Sequence, residues 1–343
     1  MNKILCFVFS LLLISCNVST PKDQLNEIIA TYENYGKSKK EDSPLGDYTE
    51  ARFEAYAKFS DSLKTVLGAI DPNKLSADDR ISHTLLHFVL NETVVKYDFK
   101  THWNPILSDA GFHSSLTYRV RPITNKKSAL AYLKLLKAIP TYIEQQSVLI
   151  KKGLDAGMGQ PLVIFKGYES TYEQHITKTA EENFYYSPFL KLPPQLTSKE
   201  KDSLRQAAKE IVLEQLIPAF QFVKRFFEET YYPNTRTTLG VSETPNGASY
   251  YQSRINYFTT LDETPKSIHQ KGLQEVARIR KKMEDIVKEV KFKGDLKAFI
   301  AFLRTDPQFY ATTPEELLKH ARNIAKKLDE QLPRYFKTLP RKP

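Results

Sequence analysis

At 343 residues, with 41% hydrophobic and 12% aromatic content, the chain can build one large or two ordinary cores, which excludes disorder as its default state. Its 50 Lys and Arg against 40 Asp and Glu leave a formal charge of +10, but the lysines are spread along every helix-like segment, so the basicity reads as a solvated surface and no nucleic-acid partner is expected. The two cysteines, Cys6 and Cys16, both lie at the N-terminus, so no disulfide can staple the rest of the chain.

Met1-Asn2-Lys3 is a short basic region, and Ile4 to Ile14 is an apolar stretch too short to span a bilayer stably. Leu13-Ile14-Ser15-Cys16 matches the bacterial lipobox. Residues 1–15 are therefore expected to be a lipoprotein signal peptide, cut before a Cys16 that carries acyl chains on its sulfur and its new amine. Two or three such chains, at about 0.8 kcal/mol per buried methylene, anchor a protein where one would not. Asn17 stands where an Asp commonly retains lipoproteins in the inner membrane, so the expected address is the cell envelope, with the outer membrane favoured by analogy.

Residues 16–23 read as a lipidated tether, and Gln24 to Tyr35 begins a helical pattern that the polar Gly36 to Gly46 stretch interrupts. Phe53, Tyr56, Phe59, Leu63, Val66 and Leu67, then Ile81, Leu85, Phe88 and Val89, recur at helical spacing on either side of an Asp71-Pro72-Asn73 break. His102 to Asn125 is loop-like, and Ser128 to Lys152 resumes a helix in which Pro140 predicts a kink or break.

The aromatic, proline-rich Phe184 to Pro194 segment predicts a boundary between an N-terminal helical region, 24–195, and a helical core segment, 196–343. A capping box at Thr197 to Glu200 opens a long helix to about Thr230, with Pro218 bending it. Tyr231 to Thr260 reads as irregular structure or a short hairpin that brings Tyr250 and Tyr251 to a wall. Three capped helices follow, at Thr264-Pro265, Asp295 and Thr313-Pro314-Glu315-Glu316. The third places Leu317, Leu318, Ala321, Ile324, Ala325, Leu328 and Leu332 on one face, which needs a partner. With no internal repeat, the predicted fold is mainly α, a multi-helix bundle.

From Leu261 onward, LDETPKSIHQKGLQEVARIRKKMEDIV and FKGDLKAFIAFLRTDPQFYATTPEELLKHARNIAKKLDEQLPRYFKTLPRKP resemble the bacterial domain-of-unknown-function family 885. Upstream, Ala138 to Gly157 and the Gly247-x-x-Tyr250-Tyr251 step are similar to the family more loosely. Phe258 departs from the pattern, since family members usually carry His before the Thr259-Thr260 pair. The resemblance implies the N-terminal part of an α-helical zincin-like metallopeptidase fold. The family's metal signature, a His-Glu pair followed by Pro-Gly-His-His, lies beyond Pro343. Zinc is thus expected only in the full-length family protein, and this chain is expected to be an inactive scaffold without metal or catalytic residues of its own. The missing C-terminal part and a peptide substrate are the implied partners, beside the membrane reached through Cys16.

The residues themselves offer no such site either. A zincin needs imidazoles from a helix, a third ligand and an adjacent Glu. Of the seven histidines, His83 and His87 share a helix face at i, i+4, but Thr84, Leu85 and Leu86 between them offer no general base. Gly240-Val241-Ser242-Glu243-Thr244 approaches a nucleophile elbow but has Thr where the second Gly must stand. The candidate substrate-cleft residues are Tyr250 and Tyr251, which can donate to an oxyanion, Arg254, which can hold a carboxylate, and His269 early in its helix. The alternative to a peptidase scaffold is a lipid-anchored helical binding protein that holds peptide or glycan on aromatics such as Tyr185, Tyr186, Phe189 and Tyr250.

Overall fold

The computed structural model describes residues 19–38, 43–106 and 110–339; the predicted leader and Cys16 lie outside the described residues. Among these residues every regular element is helical, in agreement with the mainly α fold class, apart from one isolated antiparallel bridge between Ile106 and Gly111. No helix among them is long and apolar enough to cross a membrane. Two compact units divide between Asp262 and Glu263.

In the first unit, α1 (Pro21–Ser38), α2 (Glu50–Gly68) and α3 (Ala77–Asp98) form a small helical layer. The Asp71-Pro72-Asn73 break becomes a single 3-10 turn whose Asp71 carboxylate accepts from the Asn73 amide at 3.0 Å. Ser76 then caps α3 by accepting from the Asp79 amide. Leu25, Ile28, Leu63, Leu67, Leu86 and Leu90 are the shared core of these helices, the buried face their 3.6-residue period demanded.

A second and larger core surrounds α4 (Lys126–Asp155), where an Asn125–Ser128 capping box fixes the start. Of the kink or break expected at Pro140, no break occurs: the helix continues through the proline. Its buried stripe, including Leu136, Ile139, Ile143 and Ile150, lets the helix continue, because burial on both sides of the proline outweighs one lost amide donor. Short α5 (Ser170–Glu173) and α6 (Ser187–Leu190) lead to α7 (Ser198–Ile211) and α8 (Ile217–Arg225).

These last two form one continuous helix interrupted by π-helical turns at Val212–Leu216 and Phe226–Tyr231. Pro218 cannot donate to the Glu214 carbonyl four residues back, and the first π turn places its wider register at that position. The 184–194 segment, expected to mark a boundary at 195, is instead core: Tyr185, Tyr186 and Phe189 are buried in the same cluster as Leu204 and Phe220. Phe227 sits at the centre of this core, within 6.5 Å ring-to-ring of Phe112, His113, Phe165, Tyr168, Tyr172 and Tyr231. Of the irregular structure or short hairpin expected from Tyr231 to Thr260, the first part is an irregular loop and the second is a helix, α9 (Gly247–Thr259).

The second unit holds α10 (Pro265–Glu289), α11 (Leu296–Thr305) and α12 (Pro314–Tyr335). All three predicted caps are made: Thr264 to the Ser267 amide, Asp295 to the Ala298 amide, and Thr313 to the Glu316 amide. Glu316 reaches back to Thr312 rather than Thr313, so that box is displaced by one residue. Phe292, Phe299, Phe302 and Phe309 cluster around α11. Leu317, Leu318, Ile324 and Leu328 on α12 and Leu273, Val276 and Ile279 on α10 are exposed.

Candidate functional site

The sequence nominated Tyr250, Tyr251, Arg254 and His269, which belong to different compact units. Tyr250, Tyr251 and Arg254 lie on α9 in the first unit, whereas His269 is exposed on α10 in the second. Arg254 is not open to a substrate carboxylate. Its Nη1 and Nη2 donate to Glu92 Oε1 and Oε2 on α3 at 2.6 and 2.9 Å, in a bidentate pair that holds the guanidinium above its ordinary pKa. This pair, with Phe88 stacked on Tyr257 at 5.3 Å, fastens α9 along α3 beside a groove of about 650 Å³. Tyr251 is exposed and Phe258 more so, whereas Tyr185, Tyr186 and Phe189 are buried and present no face to a ligand.

Tyr250 is the nominated residue that lines a cavity. Its ring meets Phe99 at 5.6 Å, and both border a space of about 170 Å³ closed by Asn104, Met158 and Arg236. The local backbone is unusual. Lys100 and Asn246 adopt left-handed φ values of 51° and 56°, and Gly157 has φ +71° against Pro245. A Cβ at Gly247 would run into the Val241 carbonyl, so glycine is required where α9 begins. Such strained residues cluster where the surrounding structure fixes a functional geometry.

Next to the cavity, Glu50 accepts from His102 Nε2 at 3.0 Å, Trp103 Nε1 at 2.6 Å and Lys152 Nζ at 3.3 Å. Burial pushes the Glu50 carboxyl up, but these three donors win and hold it below its ordinary value. Burial in turn lowers His102, which therefore donates to Glu50 as a neutral ring. None of Glu50, Glu92, Asn104 and Arg236 was singled out in the sequence, because each sits in a segment without motif and acquires its role only through a partner far away in the chain.

A second buried polar group lies in the main core. His113 Nε2 is 2.7 Å from Thr171 Oγ1, whose own proton goes to the Tyr168 carbonyl, so Nε2 is the protonated nitrogen and Nδ1 is bare. Nδ1, the Tyr168 hydroxyl and both nitrogens of His175 have no protein partner. Burial pushes His113 down to about 3 and His175 down to about 4. A larger open groove of about 1060 Å³ separates α4 from α8, with Pro140, Pro218, Phe222 and Phe226 on its walls and Glu144, Lys151 and Glu214 at its rim. His83 is not free for a metal, because its Nε2 lies 3.1 Å from the Leu67 carbonyl. Among the described residues no three His, Cys, Asp or Glu converge in a way that could hold a metal ion.

No curated protein sequence matches this chain. Among solved structures, "the putative lipoprotein from Colwellia psychrerythraea" shares its fold with a TM-score of 0.76 at 20% identity, over 94% of this chain and 61% of that one. The chain therefore spans about three fifths of the length of that protein. The family described as bacterial protein of unknown function, DUF885, matches residues 29–343, and this chain belongs to it.

Proposed function

We propose that this chain is the helical scaffold portion of a lipid-anchored cell-envelope protein, and that in the full-length family protein it supports a zinc-dependent peptidase centre whose metal ligands lie outside this sequence. The carrying observation is the combination of a family match over residues 29–343 with a fold shared over 94% of the chain but only 61% of the related protein. The lipobox ending at Cys16, and the lipoprotein description of the Colwellia protein, support the membrane anchor. The donor groups described here do not fit zinc, so no catalytic step is assigned to them. The partners of this reading are the membrane through Cys16, the remaining C-terminal portion, and a peptide substrate.

The test is to express the chain with its downstream coding sequence, alone and extended. Zinc and chelator-sensitive peptidase activity are expected in the extended protein only, and chelator-sensitive proteolysis by the 343-residue chain alone would overturn the scaffold reading. Incorporation of labelled palmitate, abolished by Cys16→Ala, checks the anchor. A second reading, a lipid-anchored protein that binds peptide or glycan without hydrolysing it, is favoured by the cavity under Tyr250, where Asn104 and Arg236 stand beside an apolar wall.

A further inference from the structure

The cavity bordered by Tyr250 has an unsatisfied acceptor and an uncompensated cation in one small space. Asn104 Nδ2 donates to the Met158 carbonyl at 3.1 Å, which fixes the orientation of the amide. Its Oδ1 is buried with no donor in the protein. A buried carbonyl oxygen left in this state costs stability until a donor reaches it. Arg236 is held by Nε to the Gly159 carbonyl at 2.8 Å and by Nη1 to the Thr238 and Gly240 carbonyls at 2.7 and 3.0 Å. All these acceptors are neutral, and among the described residues no carboxylate pairs with this guanidinium. Phe99, Met158 and the Tyr250 ring supply apolar wall.

We propose that this cavity binds the α-carboxylate and adjoining N–H of a single amino-acid residue. The carboxylate meets Arg236, the N–H meets Asn104 Oδ1, and a small side chain rests on Phe99 and Met158. Size limits the ligand: about 170 Å³ is close to the roughly 150 Å³ of a cavity that admits benzene, so one small residue fits and a dipeptide does not. The site is pre-shaped, because the 159 and 247 positions admit no Cβ without displacing Thr235 or Val241, and Lys100 and Asn246 hold left-handed backbone beside it. The same chemistry arises from a free amino acid or from the C-terminal residue of a peptide. The inference names a ligand class for the binding reading, and it stands whether or not the zinc reading does, since neither group involves a metal.

Calorimetric titration of the full chain in detergent with L-alanine, N-acetyl-L-alanine and L-alaninamide is the test. Saturable binding of a carboxylate ligand is expected, with L-alaninamide weaker by roughly tenfold or more. Equal binding of L-alanine and N-acetyl-L-alanine identifies a peptide C-terminus as the source, and binding of L-alanine alone identifies a free amino acid. Asn104→Leu is expected to weaken binding by roughly tenfold or more. Val241→Phe, which fills the space from another side, is expected to abolish binding and covers the case in which the Asn104 variant does not fold. Absence of binding to either carboxylate ligand at about 10 mM, or equal affinity for L-alaninamide, would overturn the proposal.

Discussion

Replacing Arg254 with Ala should do more to the first unit than loss of a surface charge, because it removes both hydrogen bonds to the Glu92 carboxylate and leaves it only the exposed Lys96, 3.4 Å from Oε1, as counter-charge. The two side chains are 16% and 12% exposed and share two hydrogen bonds, at 2.6 and 2.9 Å. Charges about 4 Å apart attract by about 4 kcal/mol at an effective dielectric near 20. Desolvation of both groups offsets part of this, and hydrogen bonds to charged groups contribute about 1.5–3 kcal/mol net. The expected cost of Arg254→Ala is therefore about 3 kcal/mol, with a coupling energy to Glu92 of about 2 kcal/mol in a double-mutant cycle. Urea unfolding of the parent, Arg254→Ala, Glu92→Ala and the double variant measures it. Trp103, the single tryptophan, reports on the first unit by its fluorescence. Additivity of the two single variants within about 0.5 kcal/mol would place the pair with exposed ion pairs and refute the reasoning.

The buried histidines set a pH dependence. His113 and His175 are neutral in the fold, with pKa values of about 3 and 4 against an ordinary 6.5. Their contribution is fully present above pH 6.5 and falls with acidification towards those folded values, because the unfolded chain binds the extra protons. Each adds a slope of about 1.4 kcal/mol per pH unit over that window, and His175→Phe should remove one such slope in denaturant titrations at pH 5 to 6. Gly247→Ala must displace the Val241 carbonyl and should cost about 2 kcal/mol or more by the same unfolding assay, whereas Gly272→Ala, with open space around it, should be neutral or stabilising. Paired Leu317→Glu and Leu328→Glu should lower self-association in sedimentation with helicity unchanged, since both side chains are exposed; unchanged association would show that this face does not carry it.

Much of the fold was legible from local chemistry. The caps at Thr197, Thr264, Asp295 and Thr313 and the break at Asp71-Pro72 each act within a few residues, so composition and spacing suffice to place them. Where the reading departed, a distant partner had intervened. Pro140 left its helix intact because α4 is buried along both halves, and the 184–194 segment became core because Phe220 and Leu204 cover its rings. Gly247 to Thr259 is helical because Glu92 and Phe88, far away in sequence, give α9 a surface to lie on.

The candidate site divides the same way. Tyr250 could be nominated from its motif, but nothing near Arg254 in the chain discloses that Glu92 occupies it. Asn104 and Arg236, separated by more than a hundred residues and set in loops, meet only after α3, α4 and α9 pack. Sequence by itself determined the helical class, the helix ends, the family resemblance and the lipobox, because each is written in short-range spacing. Tertiary structure alone decided which polar groups are satisfied by protein and which remain open to a ligand, because hydrogen-bond partners and desolvation are properties of neighbours in space.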